Sequence, residues 1–197
     1  MSTTKPERTS GRPRQFDPAQ AVEMAQRLFH ARGYDAVSVA DLTKAFGINP
    51  PSFYAAFGSK LGLYTQVLSR YSHTAAIPFT DLLRNDRPVV QCLTDVLNEA
   101  ARRYVADPAA AGCLVLEGIH CNDPAARQAA SELHAAAEKR IQIYIAQAHP
   151  QDALRLTDYM GTVMAGLSAK ARAGDSFDRL QETVRLAALA LEQILPR

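Results

Sequence analysis

Residues 38–60 read Ser-Val-Ala-Asp-Leu-Thr-Lys-Ala-Phe-Gly-Ile-Asn-Pro-Pro-Ser-Phe-Tyr-Ala-Ala-Phe-Gly-Ser-Lys. Ser38, with an aspartate three residues on, resembles a capping box, and Gly47 stands where a helix ends in a left-handed residue. Asn49 is a second N-cap, and Pro50 fits the first helical position, which needs no N–H. The stretch therefore predicts two short helices around a tight turn. This is the helix-turn-helix that places one helix end in the DNA major groove.

The second helix of the motif is predicted over residues 50–57. Phe53 and Phe57 lie four residues apart and should both face inward. Ser59 is placed to cap a third helix, with Lys60 in its first turn. The alternative interpretation is a helical corner in an all-α domain without DNA binding.

Basic residues precede the first helix. Lys5, Arg8, Arg12 and Arg14, opposed only by Glu7, give the first sixteen residues a net charge of +3. An extended Gly-Arg-Pro-Arg arm suits a minor groove, where the negative potential of narrow A·T tracts attracts arginine. A solvated tail is the alternative. The segment has no apolar core, so it does not resemble a signal peptide.

Further residues around the motif form an ordered pattern. They are Phe16-Asp17-Pro18, Leu28-Phe29, Gly33-Tyr34, Ser38-Val39, Gly47-Ile48, Ser52-Phe53-Tyr54 and Phe57-x-Ser59-Lys60. With this pattern, residues 14–63 resemble the DNA-binding domain of the TetR family of bacterial transcription regulators. The resemblance covers about a quarter of the chain. The rest is similar to the family only in helical character and length.

The resemblance implies which residues contact DNA. Tyr54 and Lys60 are the expected phosphate contacts. Residues expected near base edges or the backbone are Ser38, Asn49, Pro50, Pro51, Ser52 and Ala55, with Arg12 and Arg14 in the arm.

Two positions depart from the family pattern. Thr43 stands where alanine is usual, and it is still small. Pro50-Pro51 replaces a polar or basic residue followed by glycine, which removes side-chain donors where base reading is expected. We therefore expect sparse direct readout, through Ser52, Asn49, apolar contacts to thymine methyl groups and the arginine arm.

The charge distribution agrees with a DNA-binding end. The chain of 197 residues has a net charge of only +2. Residues 1–62 carry a net +3, whereas residues 63–197 carry a net −1. Basic character concentrated at one end is typical of a nucleic-acid footprint. No apolar run approaches the roughly 20 residues of a membrane helix, so we predict a cytoplasmic protein with no membrane partner.

Strand signals are weak, and the sequence predicts an all-α fold. The N-terminal part is a three-helix domain with the helix-turn-helix, and the C-terminal part is a helical ligand-binding and dimerisation domain. The predicted division is an arm at residues 1–15, a DNA-binding domain at 16–62 and a second domain at 63–197. Helices are predicted at 17–32, 59–74, 86–106, 124–147, 151–172 and 176–195, with a short apolar segment at 112–120.

The last two predicted helices carry broad apolar stripes. These are Leu156, Tyr159, Met160, Val163, Met164 and Leu167 in one helix, and Leu180, Val184, Ala187, Ala188, Leu191, Ile194 and Leu195 in the other. Gly161, Ala165, Gly166 and Ser168 are small enough for close helix approach. The resemblance implies a homodimer that joins these helices into a four-helix bundle and reads a palindromic operator in double-stranded DNA. The alternative is that the stripes serve only the core of one chain.

A small-molecule effector pocket is predicted in the C-terminal part. Its candidate lining residues are Tyr71, Phe79, Tyr104, Cys113, His120, Tyr144 and Met164, which combine apolar surface with a few polar tips. The effector itself is unknown. The same residues are compatible with an ordinary core.

The three cysteines suggest no disulfide framework, because their number is odd and no export signal is present. Buried packing is the ordinary interpretation. A redox sensor is the alternative, with Cys121 as the expected accessible thiol. The scattered histidines predict no metal site, and no catalytic or cofactor motif is present, so we expect neither an enzyme nor a cofactor.

These observations lead to one principal hypothesis. The chain is a dimeric, sequence-specific transcriptional repressor that a small molecule releases from DNA. One alternative keeps DNA binding and makes cysteine oxidation the trigger. A less favoured alternative is a helical ligand-binding protein whose helix-turn-helix is vestigial, an interpretation that rests on Pro50-Pro51 alone.

Overall fold

A computed structural model of the chain describes residues 16–195, and regular structure in this range is helical. The first four helices are α1 (Pro18–Arg32), α2 (Val39–Phe46), α3 (Pro50–Phe57) and α4 (Lys60–Thr74). The others are α5 (Phe79–Leu82), α6 (Val89–Tyr104), α7 (Leu114–Gly118), α8 (Pro124–Ala148), α9 (Ala153–Arg172) and α10 (Phe177–Ile194), with a 3₁₀ turn at Pro108–Ala110. The predicted all-α class is confirmed.

Side-chain caps position most helix starts. Asp17 accepts a hydrogen bond from the Ala19 N–H at 2.9 Å, and Pro18 takes the first position of α1. Ser59 caps α4 in the same way, and Asp123 caps α8. Each cap satisfies backbone donors that the first helical turn leaves without partners. The boundaries predicted from these caps are therefore confirmed.

The predicted bounds of two helices differ from the observed ones by two or three residues. The helix predicted at 86–106 is α6, which begins only at Val89 because Pro88 takes its N-cap position. Arg87 precedes this proline and is excluded from the helical region by it. The helix predicted at 151–172 begins only at Ala153, since a turn occupies the two preceding residues. The apolar segment at 112–120 contains the five-residue helix α7.

Two apolar clusters form the core of the described residues. The first joins α1–α4 and also takes in Leu114, Cys121, Ala126 and Ala130 from the α7–α8 region. The second joins α6, α9 and α10 with the C-terminal part of α8. Helix α4 contributes five buried residues to the first cluster, ending with Tyr71. This helix therefore connects the helix-turn-helix to the rest of the chain.

The apolar stripes of α9 and α10 lie mainly within one chain. Leu156, Met160 and Leu167 on α9 are buried in the second cluster. Leu180, Val184 and Leu191 on α10 are buried there too. The small residues behave differently from one another, since Ser168 is buried but Gly166 is exposed. The stripes therefore contribute mainly to the core of one chain. A second copy would contact other faces of these helices.

Candidate nucleic-acid interface and effector cavity

The turn between α2 and α3 has the geometry that its residues predict. Ser38 and Asp41 form a complete capping box: the Ser38 N–H donates to the Asp41 carboxylate at 2.9 Å, and the Asp41 N–H donates to Ser38 Oγ at 3.1 Å. Gly47 ends α2 with φ 69° and ψ 32°, the left-handed region. Asn49 Oδ1 then accepts a hydrogen bond from the Ser52 N–H at 2.9 Å. Successive caps thus fix the angle at which α3 leaves the turn.

Helix α3 buries one face and exposes the other. Phe53 and Phe57 are buried, as predicted, with ring centroids 5.4 Å apart. Tyr54 is 51% exposed. The other outward residues are Pro50, Pro51, Ser52, Ala55 and Ala56. The predicted base-edge positions are therefore all exposed, at the N-cap and in the first two turns of α3.

The Ser38 hydroxyl is committed to its own helix. Ser38 Oγ donates to the Asp41 carboxylate at 2.7 Å while it accepts from the Asp41 N–H. These hydrogen bonds from Ser38 hold the pKa of Asp41 below its usual value, with a smaller contribution from Arg32. The predicted DNA contacts Arg12 and Arg14 lie outside the described residues.

Lys60 opens α4 beside the end of α1. Its Nζ lies 4.0 Å from the centroid of the Tyr34 ring, a cation–π distance. Partial burial lowers the pKa of Lys60, against the nearby Asp35 and Asp123 carboxylates, which raise it. The ammonium group is thus held against an aromatic ring, directly after α3 in the chain.

A cavity of about 490 Å³ lies between α4, α6, α7, α8 and α9. Five of the seven predicted pocket residues line it: Tyr71, Phe79, Tyr104, Cys113 and Met164. The lining that sequence reasoning did not identify includes Ile77, Arg103, Leu116, Leu133, His134, Glu138 and Ile141. Burial raises the pKa of both Tyr71 and Tyr104, so both phenols stay protonated. The cavity wall is therefore mainly apolar, with two neutral phenols and with the ionisable side chains of Arg103, Glu138 and Arg140.

Two predicted pocket residues lie elsewhere. His120 is exposed in the turn after α7, because α7 ends at Gly118. Tyr144 borders a separate open groove of about 1270 Å³ formed with α6 and α10. Its hydroxyl donates to the Arg84 carbonyl at 2.8 Å. The prediction that these two side chains share one pocket with the others was wrong, since His120 lies beyond the end of α7 and Tyr144 faces the groove beside α6 and α10.

The expectation that Cys121 is the accessible thiol was also wrong. Cys121 is 6% exposed and packs in the first cluster. Burial raises the pKa of its thiol, and the nearby Asp35 and Asp123 add to the shift. Cys92 is fully buried. Cys113 is partly exposed and lines the cavity, which makes it the better placed thiol.

Polar contacts connect the cavity wall to α1. Tyr71 Oη donates to Cys113 Sγ at 3.6 Å, and the Tyr71 ring packs edge-on against His30. His30 Nε2 lies 3.1 Å from the Gly112 carbonyl oxygen, and burial lowers the pKa of this histidine. Arg172 donates to the His30 carbonyl at 3.0 Å. No sequence pattern identifies this connection, because His30 and Arg172 are 142 positions apart.

Residues 16–195 offer neither a metal site nor a membrane-spanning helix. Among these residues, no group of three or more histidine, cysteine, aspartate or glutamate side chains is arranged to hold a metal ion. Within the same range, no helix combines the length and apolar character needed to cross a membrane.

Comparisons with known proteins agree with this geometry. A family model described as bacterial regulatory proteins, tetR family, matches residues 22–67. The HTH-type transcriptional repressor BdcR of Escherichia coli (strain K12) is 56% identical over 195 residues, covering 99% of each chain. The HTH-type transcriptional repressor ComR of the same organism is 30% identical over 192 residues, covering 92% of this chain and 91% of that one.

A solved structure is similar over most of the chain. It is a cysteine mutant of the TetR family transcriptional regulator CifR complexed with a 26-bp double-strand operator DNA. The identity is 33%, the TM-score is 0.80, and the match covers 91% of this chain and 99% of that one. With a full-length relative at 56% identity, the resemblance seen in the sequence is confirmed: this chain belongs to the TetR family of bacterial regulatory proteins and is a transcriptional regulator, not an enzyme.

Proposed function

We propose that the chain is a cytoplasmic, homodimeric repressor that binds a palindromic operator and leaves it when a small molecule enters the cavity. Residues 16–62 act as the DNA-reading unit, and residues 63–197 bind the effector and the second subunit. The observation that best supports DNA binding is the geometry of α3, which is capped by Asn49 and exposes its first turn to solvent. A full-length relative at 56% identity that is named a transcriptional repressor supports the direction of regulation.

The DNA contacts follow from the exposed face of α3. The start of the helix enters the major groove, and the residues placed near base edges are Asn49, Pro50, Pro51, Ser52 and Ala55. Tyr54 and Lys60 contact phosphates. Ser38, the N-cap of α2, lies near the DNA backbone. Arg12 and Arg14 add minor-groove contacts from residues 1–15.

The first experiment is fluorescence anisotropy on the DNA upstream of the chain's own gene, with a scrambled duplex as control, at several salt concentrations. A regulator should bind the upstream DNA with nanomolar affinity that falls steeply as salt rises, because phosphate contacts release counterions. Equal weak binding to both duplexes would place the operator elsewhere, and selection from random DNA would then identify it. Absence of binding at low salt would contradict the proposal and favour a vestigial helix-turn-helix.

Two variants test the phosphate contacts. Tyr54→Phe and Lys60→Ala should weaken binding to all sequences about equally, and Lys60→Ala should reduce the salt slope by about one. Lys139→Ala is the matched control, because it removes the same charge from an exposed position on α8. A loss confined to the operator would contradict the phosphate assignment.

The dimer contact follows from apolar residues that the chain leaves uncovered. Leu186 and Leu189 on α10 are 69% and 57% exposed, three residues apart on one face. On α9, Ala165 and Gly166 are exposed, and a Cβ added at Gly166 would meet nothing within 4 Å. Small residues on one helix and leucines on its neighbour suit close packing against a second copy. A two-fold dimer would then present two α3 helices to a palindromic site.

Leu186→Glu combined with Leu189→Glu should give a monomer by light scattering and abolish operator binding. Ile143→Glu is the control, because Ile143 is 52% exposed and lies on α8, which is not one of the two helices of the proposed interface. An unchanged dimer in the double variant would move the interface to another surface.

The cavity suits a predominantly apolar effector. Its volume of about 490 Å³ falls within the range of small-molecule sites. Arg103 on its wall is already paired with Glu99 at 2.5 Å, and the other charged residues of the lining, Glu138 and Arg140, are of opposite sign. Apolar compounds that release the operator probe should therefore outnumber charged ones in a screen.

Helix α4 transmits the effect of ligand binding from the cavity to the DNA-binding helices. Tyr71 on the cavity wall lies in the same helix as Lys60, next to α3, so an occupant that moves Tyr71 tilts the helix and changes the spacing of the two reading heads. A hundredfold loss of DNA affinity requires about 3 kcal/mol of differential binding. Tyr71→Phe should keep operator affinity and change the effector concentration that gives half release, as measured with a compound from the screen.

A second candidate keeps the repressor and makes a thiol the trigger. Cys113 favours it, because this thiol lines the cavity and accepts a hydrogen bond from Tyr71. Hydrogen peroxide should then release DNA from the Cys121→Ser variant but not from Cys113→Ser. Release from both variants would reject Cys113 as the sensor.

A further inference from the structure

The outward face of α3 holds few hydrogen-bonding side chains. Among the residues that follow its N-cap and face solvent, only Ser52 and Tyr54 carry a polar side-chain atom. The remaining outward positions are two prolines and two alanines. Helix α3 thus lacks the arginine, lysine and glutamine side chains that read guanine or adenine by paired hydrogen bonds.

The polar groups nearest to these positions are partly committed. Asn49 Oδ1 accepts the Ser52 N–H at 2.9 Å, which holds the amide in its capping orientation. Bidentate reading of adenine by an asparagine needs both its oxygen and its nitrogen free to face the base. The hydroxyl of Ser52 both donates and accepts, so it discriminates weakly between bases. Hydrogen bonding therefore leaves most of the sequence preference unexplained.

Apolar groups occupy the place where base reading is expected. In the major groove the one apolar feature of a base pair is the C5 methyl group of thymine. We propose that α3 selects its half-site chiefly by packing Pro50, Pro51 and Ala55 against thymine methyl groups. This inference rests on the proposed function, because it assumes that α3 enters the major groove of an operator.

Uracil substitution tests the proposal directly. Uracil keeps every hydrogen-bonding group of thymine and lacks only the methyl group. With the operator duplex obtained by selection, each thymine of the half-site is replaced in turn by uracil. At contacted positions affinity should fall about fourfold, the equivalent of one buried methylene. Uracil placed outside the half-sites is the control and should have no effect.

A second pair of duplexes separates methyl packing from hydrogen bonding. Replacing a contacted T·A pair by C·G removes the methyl group and changes the donor pattern, and 5-methylcytosine restores only the methyl group. If packing dominates, the 5-methylcytosine duplex should bind about fourfold more tightly than the cytosine duplex. Equal binding of these two duplexes would contradict the proposal.

Protein variants connect the effect to particular residues. Pro51→Ala keeps a residue compatible with the first helical turn and should lose the uracil effect at one position. Lys139→Ala, at an exposed position on α8, is the control and should retain the uracil effect at every position. If the unmodified protein binds the thymine and uracil operators equally, the methyl contacts are rejected but the proposed function stands. If the protein binds neither operator at low salt, the proposed function itself is contradicted.

Discussion

The two apolar clusters of this protein differ in side-chain composition and in packing. The first, around α1–α4, is rich in aromatic rings: Phe29 stacks on Tyr34 with centroids 5.7 Å apart, and Tyr34 lies 4.7 Å from Tyr64. The second, around α6, α9 and α10, is mainly aliphatic, and its residues border the cavity of about 490 Å³. Interlocked rings hold two eight-residue helices in place, whereas the aliphatic half leaves room for a ligand.

This difference suits two tasks. A reading helix must keep its orientation, because base and phosphate contacts depend on small distances. An effector domain must have two arrangements of similar energy, because a ligand shifts only an equilibrium that already exists. The two clusters meet at Cys113, which packs against both and lines the cavity.

The largest expected effect breaks the aromatic cluster. Phe53→Ala removes a fully buried ring from α3 and should lower the free energy of unfolding by roughly 3–5 kcal/mol. The neighbouring Tyr54→Ala should change stability by less than about 1 kcal/mol, since Tyr54 is half exposed, yet should weaken DNA binding. Urea unfolding followed by circular dichroism measures both. Similar losses for the two variants would show that the ring cluster does not hold α3.

A smaller effect is expected where α4 packs closely against α7. A Cβ at Gly118 would overlap the Tyr64 hydroxyl and lie 2.7 Å from the Ala130 Cβ, so Gly118→Ala should destabilise the fold by about 1–3 kcal/mol. It should also change operator affinity through α4. Tyr64→Phe in the same chain should recover part of the loss, because it removes the overlapping hydroxyl. Thermal unfolding of the single and double variants tests this, and no recovery would place the strain at Ala130.

Loss of one cap should cost less. Asn49→Ala removes the acceptor of the Ser52 N–H and should lower the free energy of unfolding by about 1 kcal/mol. Asn49→Ser keeps a capping oxygen and should stay close to the unmodified protein. Chemical unfolding distinguishes the two variants. Equal stability of both would show that the Asn49 cap does not stabilise α3.

The smallest effect concerns pH. The pKa of Asp41 lies below its usual 3.8 because Ser38 donates hydrogen bonds to the carboxylate. A lowered folded-state pKa means that the capping box stabilises the fold above pH 3.8, and this stabilisation is lost as pH falls through the lowered value. Asp41→Asn should therefore show a shallower fall in stability below pH 3.8. Identical acid profiles for variant and unmodified protein would contradict this.

The helix-turn-helix is encoded by neighbouring residues. Asp17, Ser38, Gly47, Asn49 and Ser59 each act within three positions of the backbone group that they cap or the turn that they form. The sequence therefore predicted these helix boundaries closely. Helix α6 was predicted less well, because no side chain caps its start and Pro88, which takes the N-cap position, was not used as the boundary.

The candidate sites divide in the same way. The exposed face of α3 follows from helical spacing, with Phe53 and Phe57 turned inward. The cavity depends on how α4, α6, α7, α8 and α9 are rotated against one another, so five of seven predicted residues line it while His120 and Tyr144 do not. The burial of Cys121 has the same origin.

The sequence by itself determined the all-α class, the capped helix-turn-helix and the family of this protein, because these depend on local hydrogen bonds and on an ordered motif. Only the tertiary structure decided that the stripes of α9 and α10 pack mainly within one chain, which thiol reaches the cavity and how His30 meets Arg172. These features depend on contacts between residues far apart in the chain, and the relative rotation of packed helices sets such contacts.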